Sequence, residues 1–226
     1  LRYNSGSDEK LASAGVTAAI GEQFALRVEG LKRKANDYIA PDYVVAEPHG
    51  DHFHNEQKRR VDNTFAEGQT INVGGSWIHE RGFVGLSYSN RQDQYGLPGH
   101  SHEYHGCELH ADHFHCPKSD DDHDHEHAAG PWVDLNSERY DLRTELSQPF
   151  QGFEKLRAHA SFTDYEHDEL EDQAVISNFK SRGYDARLEL VHVPVAGWEG
   201  VIGTQFSQQT IDLVAGQSHA HEEHDH

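Results

Sequence analysis

The sequence predicts an all-β protein, an antiparallel up-and-down meander forming part of a transmembrane β-barrel with long extracellular loops. Three observations predict it. Apolar and polar residues alternate over long stretches, the mark of strands with two unlike faces. Short turns alternate with long polar connections along the chain. In a meander this collects the short turns at one end and the long loops at the other, as in outer-membrane barrels. Finally, the stretches 59–78, 132–147 and 175–193 exceed the roughly five or six residues of ordinary globular strands.

Taken in order, Leu1-Arg2-Tyr3 reads as a partial first strand. Phe24, Leu26 and Val28 oppose Arg27 and Glu29, and Val84, Leu86 and Tyr88 form another apolar row. Tyr140, Leu142 and Leu146 oppose Arg139, Asp141, Arg143 and Glu145. Leu156, Ala158, Ala160 and Phe162 oppose Lys155, Arg157, His159 and Ser161. Tyr184, Ala186, Leu188 and Leu190 oppose Asp185, Arg187 and Glu189. A soluble sandwich would turn the charged rows to water; a barrel would turn them to a wet lumen and the apolar rows to lipid. Period alone does not choose between these, but connection lengths do.

Short turns fall near Gly21-Glu22-Gln23, His79 to Gly82, Gln148 to Gly152 and Pro194 to Gly197. Long polar connections occupy 40–58, 96–131 and 166–174, with another starting near 213. Aromatics flank the expected strand ends (Tyr38, Tyr43, Trp77, Phe83, Trp132, Phe150, Phe153, Trp198), compatible with interfacial girdles. The expectation is one partial barrel over residues 1–226, of about eight or nine strands, with 40–58, 96–131, 166–174 and 213–226 as extracellular loops. No run of about 18 apolar residues offers a transmembrane helix, which leaves spanning by strands open. The absence of Met and an opening inside a strand are expected of a piece of a longer protein.

The formal charge of −20 argues against nucleic acid, because phosphate binding needs a basic surface. It favours cations, which an acidic surface concentrates before any specific site forms. Nine of the 28 residues from His100 to His127 are histidine, interleaved with eight Asp or Glu and one Lys. Shorter clusters recur at His49-Gly50-Asp51-His52-Phe53-His54 and at His219-Ala220-His221-Glu222-Glu223-His224-Asp225-His226. Imidazole is the commonest protein ligand for zinc, copper and nickel, and carboxylates add hard oxygen donors.

The candidate ligands are therefore His49, His52, His54, His100, His102, His105, His110, His113, His115, His123, His125, His127, His219 and His221, with Glu189 as a lumen-side acid. HxH on an extended strand puts both imidazoles on one face; were Glu108 to His115 helical, His110 with His113, or Cys107 with His110, would share a face instead. The surplus of ligands suits a collector with several weak, exchanging sites rather than one rigid four-ligand zinc site. Glu145 and Asp185 join Glu189 as possible lining of an ion path, with a solvated salt bridge the plainer reading of each. His159 falls on a polar strand face and His167 at the start of a loop, while His79 and His192 lie near short turns and are expected to be structural. Cys107 and Cys116 are nine residues apart; a disulfide closing a small loop and a pair of thiolate ligands are the two readings. No HExxH, GxSxG, GxGxxG or P-loop pattern is present, so no enzyme is expected. A metal-dependent hydrolase is a weaker reading that no motif demands.

The long Arg/Glu-rich strands and the loops HGDHFHNE, GHSHEYHGCELHADHFHCPKSDDDHDHEHAAGPW and SHAHEEHDH resemble zinc receptors of the TonB-dependent outer-membrane receptor family. The likeness extends over the whole chain, and the second loop is its most specific part. Family members have a barrel of about 22 strands closed by an N-terminal plug. They import scarce nutrients with energy passed through TonB. The resemblance implies a location in the bacterial outer membrane, capture of zinc at surface loops, lipid around the wall, and TonB as a partner through a plug missing from this chain. It also implies a loop-stapling Cys107–Cys116 disulfide. Copper and nickel accept the same ligands. The rival from another class is a soluble secreted metal-scavenging β-sandwich.

Overall fold

A computed structural model describes residues 1–49, 52–98, 108–110, 113–115, 130–171 and 173–215. Thirteen strands make up its regular structure: β1 (Arg2–Asn4), β2 (Glu9–Ile20), β3 (Phe24–Ala35), β4 (Ile39–His49), β5 (His52–Arg60), β6 (Ala66–His79), β7 (Gly82–Gly96), β8 (Glu108–His110), β9 (His113–His115), β10 (Trp132–Ser147), β11 (Phe153–Glu171), β12 (Ala174–His192) and β13 (Val201–Ala215). Nine of them form one sheet in the order β1-β2-β3-β6-β7-β10-β11-β12-β13, every neighbouring pair antiparallel. The chain is thus an all-β antiparallel meander. The pairs β4-β5 and β8-β9 are separate two-stranded hairpins.

Several expected boundaries move. The stretch 59–78 is not one strand: β5 ends at Arg60 and β6 starts at Ala66. Between them Asn63 takes a left-handed backbone (φ 57°), which Asn tolerates better than most residues. The expected loop 40–58 is mostly the β4-β5 hairpin, and Glu108–His110 and His113–His115 are paired strands rather than helix. The expected loop 166–174 lies almost entirely in strands, since β11 runs to Glu171 and β12 resumes at Ala174. Its charges had marked it as a loop; on the strands those charges pair across the ladder, with Lys180 Nζ 2.9 Å from Glu166 Oε1. His167 is accordingly a strand residue. Connection length therefore fails to alternate at 5–8 and 172–173, but the ends of the sheet still alternate as a meander requires.

The register carries the architecture, because residues opposite one another share a face. One row joins Ala18, Leu26, Gly75, Leu86, Leu142, Ala160, Ala186 and Phe206 across eight strands. With its neighbouring rows it forms an apolar band on one face, and most of its members are exposed: Leu86 is 64% and Phe206 59% accessible, while Gly75 and Ala160 are half-buried. Four aromatics close the upper edge of the band on adjacent strands. Ring centroids are 4.9 Å apart for Tyr88–Tyr140, 6.3 Å for Tyr140–Phe162 and 4.8 Å for Phe162–Tyr184. Just above, Tyr88 Oη donates to Glu138 Oε1 at 3.0 Å.

The upper edge of the band crosses the rows obliquely. Moving from β2 to β13, the first strongly polar residue on this face is Lys10, Lys32, Gln69, Asn90, Glu138, Asp164, Arg182 and Gln208. The row containing Lys10 meets β13 at Val214, six residues beyond Gln208. Seven strand steps thus shift the edge by about one residue each. Strands tilted by ~40° and spaced ~4.8 Å apart shift a level line by about 4 Å, roughly one residue, per strand. The edge thus runs obliquely to the register rows, with the slant such a tilt would give.

The opposite face reverses this logic. Level with the band it carries Arg27, Glu29, Arg139, Asp141, Arg143, Arg157, Arg187 and Glu189. Toward the long-connection end it mixes apolar and polar residues, and there the most buried side chains lie: Val133 (2% accessible), Leu135 and Ala35, with Asp93 and Ser181. Meanwhile the band face becomes polar at that end. We expect Leu135→Ala to lower stability by about 2–3 kcal/mol in denaturant titration. Leu86→Ala, at an exposed position, should cost less than about 1 kcal/mol.

Candidate metal-gathering rim

The long connections root at one end of the sheet, where β3, β6, β7 and β10 terminate and β13 finishes at Ala215. These roots are tied together by backbone hydrogen bonds. Asn36 N donates to Ser7 O (2.8 Å) and Ile39 N to Gly6 O (2.7 Å), so the β4-β5 hairpin is anchored on the β1-β2 turn. Arg60 Nη1 donates to Asp37 O (2.9 Å), and Thr64 N to Asp37 Oδ1 (2.7 Å).

Asn63 joins this hairpin to the largest connection. Its Nδ2 donates to Leu97 O (3.0 Å) and to Pro131 O (2.7 Å), while Leu97 N donates to Pro131 O (2.9 Å). Gly96 and Gly130 admit it. A Cβ on Gly96 would lie 2.3 Å from Asn63 O, and one on Gly130 2.7 Å from Asn63 Nδ2. At Gly96 the close atoms are backbone, so glycine is required there; at Gly130 a larger residue would push against the Asn63 amide and disturb the clasp. Sequence reading places Asn63 inside the strand expected over 59–78 and misses this role, because the partners are 34 and 68 residues away.

The described histidines of the rim sit in register pairs. His49 is opposite His52, and Glu47 opposite His54. His110 is opposite His113, and Glu108 opposite His115. Opposed α-carbons in an antiparallel pair lie ~4.5–5.5 Å apart, a spacing that suits two ligands of one ion. His100, His102, His105, His123, His125, His127, His219 and His221 lie outside the described residues, as do Cys107 and Cys116 and hence their pairing. Among the described residues no group of three or more His, Cys, Asp or Glu is gathered closely enough to hold an ion.

Glu189 stands apart from the rim. It lies on the charged face near the short turns, in register with Arg157 and Gly203, and accepts from Arg187 Nη2. The twelve residues of β12 between Ser177 and Glu189 correspond to about 40 Å of strand. The acids around it are also committed. Glu145 meets Lys155 (3.1 Å) and Arg157 (3.2 Å), and Asp141 meets Arg139 (2.8 Å) and His159 Nε2 (3.0 Å). Asp185 accepts from Gln205 Nε2 at 3.0 Å. The wall is a mesh of ion pairs.

The four remaining histidines have structural partners. His167 stacks on Phe179 (centroids 5.1 Å), and its Nδ1 is 3.1 Å from Tyr165 Oη. His79 packs on Trp77 (5.0 Å), and His192 Nδ1 donates to Val193 O at 2.7 Å. At the same end as the rim, hydrogen bonds from Lys180 and then Asn178 hold the Glu166 carboxyl below its ordinary range, and Glu166 in turn raises Lys180. A depressed carboxyl stabilises at neutral pH and loses that contribution as pH falls through its lowered value. Burial is the main cause that raises the Tyr165 phenol.

No family model matches the chain.

Replacing Asn63 by Ala removes two donors from two carbonyls and should cost about 1–3 kcal/mol. Hydrogen exchange at Leu97 N–H should accelerate while amides in the middle of β10 and β11 keep their protection. Asn63→Asp should behave like the Ala variant, because a carboxylate cannot donate.

Proposed function

We propose that this chain is part of the wall of a TonB-dependent outer-membrane receptor that captures zinc at a histidine- and acid-rich rim for import. The supporting observation is the placement of two surfaces. An exposed apolar band with an aromatic upper edge and the slant of tilted strands suits lipid, and the three histidine clusters follow strand ends beyond one edge of it. A soluble sandwich would instead bury that band under a second layer; on the band face no second layer packs among the described residues.

The chemistry follows from where the charges lie. Captured zinc meets imidazoles and carboxylates at the rim; an imidazole without an oriented supporting group binds less tightly, which suits fast exchange. On the charged face the carboxylates hold Arg, Lys or His, so they are poor traps for an ion passing by. No covalent chemistry is needed. Zinc is preferred on the resemblance of the loops, and copper and nickel would compete for the same ligands.

Deleting His100–His127 should lower the zinc stoichiometry measured by equilibrium dialysis while the sheet persists by circular dichroism. Unchanged stoichiometry refutes the rim as the capture surface. In bilayers, Leu142→Arg should destabilise by about 2–4 kcal/mol, whereas Ser161→Arg on the opposite face should be nearly neutral. A monodisperse protein without detergent, indifferent to Leu142→Arg, would favour a soluble scavenger.

A further inference from the structure

We infer that the outward lysines of β2 and β3 bind the phosphate of a membrane lipid, with its acyl chains lying in the recess below them. The inference rests on the membrane reading above. In a chain of net charge −20, Lys10, Lys32 and Lys34 gather on one face of two adjacent strands. Lys10 and Lys34 are direct register partners, and like charges placed opposite one another destabilise a ladder. Their acidic neighbours offset this only in part. Glu67 serves both Lys34 (3.2 Å) and Lys32 (3.9 Å), and Asp8 lies 3.5 Å from Lys10. All three ammonium groups stay open to solvent, with side chains 65–72% accessible.

Their height is what singles them out. On β2 the band face reads Ala12, Ala14, Val16, Ala18, Ile20, a span of nine residues that suits one crossing of the hydrocarbon, and Lys10 follows directly. On β3 it reads Phe24, Leu26, Val28, Gly30, and Lys32 follows directly. The lysines therefore stand where headgroup phosphates would be. Below them, Ala14 opposite Gly30 leaves a recess, and a Cβ on Gly30 would meet nothing within 4 Å. Tyr3, the register partner of Lys10, adds an exposed aromatic at the same level. Elsewhere the boundary is neutral (Gln69, Asn90, Gln208), acidic (Glu138) or matches each cation with an acid of its own, as Arg182 with Asp164 at 3.3 Å, whereas Lys32 and Lys34 share Glu67. Only this sector, among the described residues, offers grouped cations above an open apolar lane.

The test is co-flotation of the full chain with phosphatidylcholine vesicles, with and without phosphatidic acid as the phosphate-bearing probe. The wild-type chain should associate more tightly when phosphatidic acid is present. Lys10→Gln, Lys32→Gln and Lys34→Gln should each remove about fivefold of that preference. The double variant Lys180→Gln/Arg182→Gln, on the same face but self-paired, should retain it. Equal insertion of wild type into both vesicles overturns the inference and leaves the membrane reading intact. Equal loss in the double variant also overturns it, since the effect would then be diffuse charge. Competition by inorganic phosphate would mark a soluble-anion site instead and overturn the lipid assignment. Failure to associate with either vesicle removes the membrane reading and the inference together.

Discussion

An unbroken antiparallel register is the constraint on which the rest of this structure depends. Side chains alternate with period two, so a slip of one residue in any ladder would exchange the apolar band for the charged face along that strand. The eight longer strands of the main sheet keep their rows aligned from Ala18 to Phe206. The only shifts in those ladders lie near the ends of β11, between Phe153 and Lys155 and between Glu169 and Leu170, outside the band. Within the band the register is uninterrupted, so each backbone group there has its partner on the neighbouring strand.

The reversal of polarity along the sheet gives this constraint its functional meaning. Level with the band, apolar residues face outward and ion pairs line the other side. Beyond it, charges lie on the band face, while Val133, Leu135 and Ala35 lie on the other face and are the buried hydrophobic side chains of the sheet among the described residues. The strands are long enough for both regimes: β11 and β12 each have 19 residues, about twice what a tilted crossing of hydrocarbon needs. The upper half forms a stiff collar. On it the histidine-bearing connections are rooted, and Asn63 clasps the roots of two of them.

Much of this was legible in the residues themselves. Alternation at Tyr184 to Leu190 and Leu156 to Phe162 gave the faces, and the turn residues at Gly21 and Gln148 to Gly152 gave the lower end. What misled was composition. Glu166, His167 and Asp168 look like a loop because three polar residues in succession break the hydrophobic alternation, yet above the band neither face must be apolar. The β4-β5 hairpin was hidden for the same reason. The Asn63 clasp was invisible on other grounds: a turn asparagine shows its backbone preference locally, whereas its hydrogen-bond partners depend on which distant strands the meander makes adjacent.

The distribution of charge bears on how an ion would move in the proposed receptor. If attraction came from the wall, unpaired carboxylates on the charged face would hold a divalent ion along its length and slow its passage. The wall instead matches Glu145, Asp141 and Glu189 with Lys155, Arg157, Arg139, His159 and Arg187. A carboxylate already paired offers a metal much less, since binding would strand its cationic partner. The sequence segment from His100 to His127, by contrast, carries eight acids against a single lysine. In the proposed receptor, long-range attraction would thereby be concentrated at the rim, and the wall would contribute shape and solvation rather than affinity. Glu189 itself is engaged by Arg187 on the same strand, and its register places it at the opposite end of β12 from the strand ends that lead into the histidine-rich segments.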